Sequence, residues 1–416
     1  MGLGKTLTSL YFANKKKKPA IIVCPASVKL QWQKEIDKWK VKGDVFILNG
    51  RTVDKELLWE INTSDCQYII INYDILTYWV DDLIKLNPNI LIVDEIHYCK
   101  NYKSKRTLAL QKLSRVANRF IGLTGTPIKN NAVDLFPILN MMNPDDFDNF
   151  FTFAKRYSYV KKIRPKNRYA RVRHIYTGVK NSDELYNILK PMMFRKLKNE
   201  VLDELPEKNR ITQYVDIDNK RDYNSIVLED KPIFMKYGAL RQVTAQGKIK
   251  QSIEWIEDFL EETCEKLVIA CHYKVIVEQL MRHFKGKAVK IVGGMSSKEK
   301  NESINNFNNK DGVRLCIGNI QAIGTGIDGL QDNCSNMCVI ELPMTVADML
   351  QLEDRLNRMG QKNAVNIYYI IGEKTIDEQI CQLLIKKASI FNAIVEGVAE
   401  DDTDIMSSVE ASIVTI

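Results

Sequence analysis

No stretch of the 416 residues approaches the ~18 consecutive apolar residues that a membrane helix needs, so a membrane protein is not expected. The opening residues, Met1-Gly2-Leu3-Gly4-Lys5-Thr6, lack the basic-then-apolar layout of a secretory signal, which argues against secretion. The nine cysteines contain no CxxC pair. Cys334 and Cys338 are the tightest spacing, with no second pair to complete a zinc cage. A disulfide scaffold and a zinc module are therefore both excluded, and reduced thiols in a cytosol-like compartment are expected. Internal repeats and long low-complexity tracts are missing as well.

What is present is a chain able to fold. An apolar fraction of 45% against 27% charged residues supports real cores, and the length suits two or three domains. The net charge of +8 is unevenly placed. Residues 151–180 hold five Lys, five Arg and no acid, interleaved with Tyr157, Tyr159, Tyr169 and Tyr176. Cations among aromatics suit a phosphate backbone flanked by stackable bases. A solubilising loop fits the same composition. Residues 396–416 hold six acids and no base and read as a frayed tail.

Short apolar runs recur along the chain. They are Ala20–Cys24, Tyr68–Ile71, Ile90–Val93 and Phe120–Leu123, then Leu267–Cys271, Ala288–Val292, Val313–Ile317, Met337–Leu342 and Val365–Ile371. Runs this short and apolar on both faces predict buried parallel strands with crossover helices. Between the first two runs, Val28, Trp32, Ile36 and Trp39 form a helical stripe. Two such sets, separated by a strand-poor basic region, predict an α/β fold with two doubly wound units. The join is placed near Glu204-Leu205-Pro206-Glu207-Lys208.

Four segments carry chemistry. Gly4-Lys5-Thr6 is the second half of a phosphate loop. In such a loop glycines let backbone N–H groups close on phosphate, a lysine neutralises charge and a hydroxyl holds Mg²⁺. Asp94-Glu95-Ile96-His97 follows a predicted strand. Two adjacent carboxylates are costly there without a cation, so Asp94 suits Mg²⁺ and Glu95 an attacking water. His97 could couple this site to neighbouring loops or hydrogen-bond across the cleft. Leu123-Thr124-Gly125-Thr126-Pro127 ends another strand on the same expected edge. Finally, Gln351–Gln361 places Arg355 and Arg358 three apart, on one expected helix face, without acids at matching offsets that would explain both as surface pairs. Guanidinium forks suit a phosphate whose charge grows in a transition state.

Taken together, GLGKT, IIVCPASVKLQWQKEI, INYDIL, DEIH, LTGTP, IGTGIDGLQ and QLEDRLNRMGQ resemble, in order and spacing, the SNF2-family superfamily 2 ATPases. The similarity runs to about Gly397, and the compact annealing-helicase and phage or bacterial branch is the nearer likeness. The resemblance implies two tandem RecA-like lobes, each a parallel sheet flanked by helices. Lobe 1 would span 1–207 with a basic helical insertion at about 145–205, lobe 2 would span 208–395, and 396–416 would be the tail. It implies ATP and Mg²⁺ as cofactors, with Gly2, Gly4, Lys5 and Thr6 forming the phosphate loop and Thr6 and Asp94 at the metal. Glu95 would activate water, while Gln351, Arg355 and Arg358 would supply the arginine motif from the second lobe. Gly326 and Asp328 would touch the ribose and lobe interface, although the family more often has Asn at the latter position.

DNA contacts are implied for Pro25, Ser27, Gln31, Tyr73, Gly294 and Thr325, and the basic segment adds Lys161, Lys162 and Arg164. The expected partner is double-stranded or branched DNA read with low sequence specificity, with no membrane. Abundant Lys, Ile and Asn point to a bacterial or phage-infected cytoplasm. An RNA helicase and a restriction-type motor subunit are the alternatives within the superfamily. The strand leading into the phosphate loop and the upstream glutamine motif are missing from the sequence. That strand is expected between neighbours of the first sheet, so a DNA-binding fragment unable to turn over ATP is a further alternative.

Overall fold

The computed structural model describes residues 3–13, 19–39, 43–125, 131–163, 173–196, 205–231, 233–325 and 327–396. The chain divides into two compact units, Leu3–Met192 and Met193–Ala393. Gly2, Arg164, Gly326 and the acidic tail beyond Glu396 lie outside the described residues.

In the first unit, β1 (Ala20–Cys24), β2 (Asp44–Ile47), β3 (Cys66–Asn72), β4 (Ile90–Asp94) and β5 (Arg119–Leu123) form one sheet in the order β2-β3-β1-β4-β5. All four pairings are parallel. The alternation of a strand's side chains splits its apolar residues between two cores. Ile21 and Val23 of β1 pack with Ile69, Ile71, Leu91, Val93 and Trp79 on one face. Ala20, Ile22 and Cys24 pack with Tyr68, Ile70, Ile90, Ile92 and Trp32 on the other. Both faces are therefore covered, as the continuous runs required. The five strands pair without interruption, which corrects the expected gap between neighbours; β5, partly exposed, is an edge.

Helices α1 (Lys5–Ala13), α2 (Lys29–Lys38), α3 (Lys55–Thr63), α4 (Tyr73–Lys85) and α5 (Lys105–Val116) flank this sheet. The expected helical stripe is shorter than its spacing suggested. Trp32 and Ile36 of α2 are buried, but Trp39 is exposed and donates its indole N–H to Glu35 Oε2 at 3.0 Å. After α6 (Phe136–Met142) comes α7 (Phe150–Tyr157). It is followed by an antiparallel hairpin of β6 (Tyr159–Ile163) and β7 (Arg173–Thr177), then α8 (Ser182–Leu189). The basic segment is thus not strand-poor, because its charges masked β-branched and aromatic residues (Tyr159, Val160, Ile163, Ile175, Tyr176 and Thr177) that suit a hairpin. Arg156 forks the carboxylate of Glu184 at 2.7 and 2.9 Å, and Tyr157 is buried with its hydroxyl on the same carboxylate.

The second unit holds β8 (Lys208–Val215), β9 (Leu267–Cys271), β10 (Ala288–Ile291), β11 (Leu315–Asn319), β12 (Asn336–Val339) and β13 (Val365–Gly372). Their order is β10-β11-β9-β12-β13-β8, again parallel throughout. The apolar runs correspond to central strands and to β5 and β10. The runs missed two edge strands, β2 and β8. An edge strand buries less of itself, and β8 alternates exposed and half-buried residues instead of forming an apolar run.

One buried carboxylate ties this sheet to the arginine segment. Glu353, fully buried at the end of the helix Val346–Glu353, accepts from Lys208 at 2.7 Å, from Arg210 at 2.6 and 2.7 Å, and from the Tyr369 hydroxyl at 2.7 Å. Burial alone would raise its pKa. Arg210 first, then Lys208, outweigh burial and hold it below the ordinary value. A depressed folded-state pKa stabilises above the unfolded value, near 4.3, and that contribution is lost as pH falls through the folded value. Glu353→Gln should therefore cost about 3 kcal/mol at pH 7, at the low end for a broken buried pair because Arg210 is half exposed. Its gap from the parent in thermal midpoint should narrow steadily below about pH 4.

Candidate nucleotide and DNA site

Parallel register brings the carboxyl ends of the first sheet's strands together. Cys24 of β1 pairs with Asn72 of β3, and Asp94 of β4 pairs with Leu123 of β5. Each strand therefore hands over to its functional segment on the same edge: Pro25, Tyr73, Glu95 and Thr124. The phosphate-loop residues reach that edge from α1. Leu10 and Ala13 of this helix are buried in one cluster with Cys24, Ile92 and Trp32. Gly4, at φ +75°, takes the left-handed conformation that starts the helix, and its carbonyl accepts from Thr8 N at 2.9 Å. No acidic residue occupies the first turn of α1, so its N-terminal dipole is left for an anion.

Asp94 sits at the centre. Its Oδ2 accepts from the Trp32 indole N–H at 3.0 Å, and its carbonyl accepts from the Tyr73 hydroxyl at 2.6 Å. Burial and then the Glu95 charge push the carboxyl pKa up to about 6, with Trp32 and Lys5 acting in the opposite direction. A desolvated carboxylate beside a second one, with a hydroxyl-bearing helix start in the same unit, is a donor set of the oxygen type that suits Mg²⁺. The residues fit the metal.

Glu95 comes next in the left-handed region, φ 52° and ψ 53°, which costs a non-glycine residue of order 1 kcal/mol or more. Its Oε2 lies 3.1 Å from His97 Nδ1. The same nitrogen is 3.3 Å from Thr124 Oγ1. His97 is buried, so the two sequence readings for it resolve to a bridge between the Asp94-Glu95 turn and the Thr124 turn.

Tyr73 does not suit its expected role as a DNA contact. It is buried, its ring stacks on Tyr98 with centroids 5.5 Å apart, and its hydroxyl is engaged by Asp94. It supports the strand end instead. Pro25 and Ser27 are partly exposed beside β1, and Gln31 is exposed on α2. Lys161 and Lys162 are exposed on β6, whereas the buried Tyr157 offers no stacking face.

In the second unit, Arg355 and Arg358 do not share a helix face. The helix ends at Glu353, and the chain tightens into i−3 hydrogen bonds, Arg355 N to Leu352 O and Leu356 N to Glu353 O. Arg355 donates to the carbonyl of Ile327 at 2.7 Å. Arg358 pairs with Asp328 Oδ1 at 3.1 Å, an acid thirty residues earlier in the sequence. Asp328 Oδ1 also accepts from Gly329 N at 2.9 Å. Gln351 is buried. Gly294 is exposed at φ +94°, and the Thr325 hydroxyl donates to Gln321 O at 2.7 Å.

Sequence reasoning missed three supports. Trp32 reads as a core residue, Glu353 as one acid in a charged helix, and Asp328 as a contact to the ribose and lobe interface. Nothing in local spacing marks them, because each partner is at least sixteen residues away.

Comparison with known proteins supplies the context. The profile of the SNF2-related domain matches residues 1–269, and that of the helicase conserved C-terminal domain matches residues 248–360. The chain is 28% identical over 95% of its length to the human "DNA annealing helicase and endonuclease ZRANB3", covering 38% of that protein. It is 27% identical over 94% of its length to the Xenopus laevis "SWI/SNF-related matrix-associated actin-dependent regulator of chromatin subfamily A-like protein 1", covering 41%. An "Uncharacterized ATP-dependent helicase" of Mycoplasma pneumoniae is 25% identical over 94% of the chain, with 39% of that protein covered. The chain thus spans about two fifths of the length of these relatives. With more than half of its residues matched by the first profile, and with the phosphate-loop, Asp-Glu and arginine segments in that family's order, the chain belongs to the SNF2-related family.

Proposed function

We propose that this chain is the motor of an ATP-driven translocase on double-stranded DNA, serving to remodel bound proteins or to reanneal strands. The observation that carries the reading is the single sheet edge of the first unit, where Asp94, Glu95, His97 and Thr124 converge with Lys5 close enough to act on Asp94. Family membership and relatives named as DNA annealing and ATP-dependent helicases support it.

In this reading Lys5 and the N-terminus of α1 bind the phosphates, with Gly2 and Gly4 giving the backbone its close approach. Thr6 and Asp94 would hold Mg²⁺, which would supply charge neutralisation on the phosphates. Glu95 orients the attacking water and takes its proton. His97 keeps the Glu95 carboxylate in place and ties it to Thr124. Gln351, Arg355 and Arg358 are assigned to the charge that grows on the transferred phosphoryl group. Gly326 and Asp328 are assigned to the ribose. Pro25, Ser27, Gln31, Gly294 and Thr325 are assigned to the DNA backbone, a grip that needs little base readout.

Glu95→Gln should abolish DNA-stimulated ATP hydrolysis while duplex binding persists, since this carboxylate acts on water and not on DNA. Hydrolysis near the parent rate would overturn the site assignment. Arg358→Ala should lower turnover on the order of 10³-fold with little loss of ATP affinity. Equal losses in both would assign it to ground-state binding instead.

The basic segment is proposed as the main non-specific DNA handle, less Arg156, which Glu184 already neutralises. Replacing Lys161, Lys162, Arg164 and Lys166 together with Ser should weaken duplex binding evenly across sequences. It should also flatten the log–log salt slope by roughly two to four, at about 0.9 per phosphate contact. Fluorescence anisotropy across a salt series measures this; parallel lines for parent and variant would sink the handle.

A further inference from the structure

Asp94, at the carboxyl edge of the first sheet, is gripped from two flanking helices at once. Trp32 of α2 donates to Oδ2 at 3.0 Å, and Tyr73 of α4 donates to the main-chain oxygen at 2.6 Å. Both donors are buried, Trp32 at 2% exposure. Both are also neutral, and that decides what they can do. An ammonium or guanidinium at the position of the indole would satisfy Oδ2 but also cancel the carboxylate's charge. An indole N–H is a donor only, and it occupies one lone pair while leaving the full negative charge for a cation. The ring body has a second role in the same place. It is buried in one cluster with Leu10 and Ala13 of α1, the helix whose first residues are Lys5 and Thr6.

We propose that Trp32 is a positioning residue for the divalent cation: its indole N–H sets the plane of the Asp94 carboxylate, and its ring fixes α1 against that carboxylate. The inference rests on the reading of Asp94 and Thr6 as the Mg²⁺ residues. Trp32 does not touch the nucleotide or the metal. It holds Asp94 in register with the phosphate loop, so that folding, not the cation, bears the cost of orienting the ligand. Partners of this kind typically contribute 10–100-fold in metal affinity.

The test reads metal binding without turnover. Mn²⁺ is titrated by electron paramagnetic resonance into the full chain with a non-hydrolysable ATP analogue. Trp32→Phe keeps an aromatic ring in the core and removes the donor. It should weaken nucleotide-dependent Mn²⁺ binding about tenfold, with metal-free nucleotide affinity and duplex binding unchanged. Ile36→Ala, in the same helix and the same buried cluster, removes packing and keeps the indole; it should leave Mn²⁺ affinity within twofold of the parent. If Trp32→Phe does not fold, 3-benzothienylalanine at position 32 keeps the indole's shape without its N–H and should give the same tenfold loss. Mn²⁺ affinity within twofold of the parent in the donor-less variant would overturn the inference alone. So would an equal loss in Ile36→Ala. A parent that binds no Mn²⁺ with nucleotide, or Asp94→Asn binding it as tightly as the parent, would overturn the metal-site reading and this inference with it.

Discussion

A parallel sheet covered on both faces is the constraint on which the rest depends. Its strands can succeed one another only through crossovers that return to the same end. Every strand therefore delivers its next residues to one edge. In the first unit this sends Pro25, Tyr73, Glu95 and Thr124 to a common place from four separate stretches of chain. The same two-faced burial makes the strands visible as apolar runs, so the feature that builds the site also advertises the fold.

Within that frame, buried carboxylates set the geometry and their partners decide how each behaves. Glu353 is surrounded by two cations and a hydroxyl and stays ionised as a structural tie. At Asp94 burial, and then the Glu95 charge, push the pKa up to about 6 against the neutral Trp32 donor. Glu341 of the second unit accepts from the His272 and Tyr273 backbone N–H groups, and burial pushes it up to about 7. The contrast follows from charge balance. Two hydrogen-bonded cations outweigh burial at Glu353, whereas neutral N–H donors do not outweigh it at Asp94 and Glu341.

The arginine segment shows how such a tie shapes the chain beyond it. Glu353 is pulled onto β8 and β13, the helix stops there, and tighter turns carry Arg355 and Arg358. Each guanidinium is then held from a turn some thirty residues earlier, at Ile327 and Asp328. A continuous helix would have placed both on one face. The tight turn instead anchors one on a carbonyl and the other on a carboxylate.

From its residues alone the chain was legible as two α/β units, with nine central or edge strands, a phosphate loop, an Asp-Glu pair and a double-arginine segment. Those features are local: burial on both strand faces writes itself into short runs, and phosphate chemistry needs fixed residues at fixed spacing. The edge strands β2 and β8 and the hairpin of β6 and β7 were not legible, because a strand that buries one face or carries many charges leaves no apolar run. Tertiary structure alone decided that Tyr73 supports Asp94 instead of facing DNA, that His97 bridges Glu95 to Thr124, and that Arg358 finds Asp328. Each of these is a contact between side chains that only sheet register and crossover packing bring together. A hydrogen bond formed across sixty-two residues, such as that from Trp32 to Asp94, has no signature in the spacing of either.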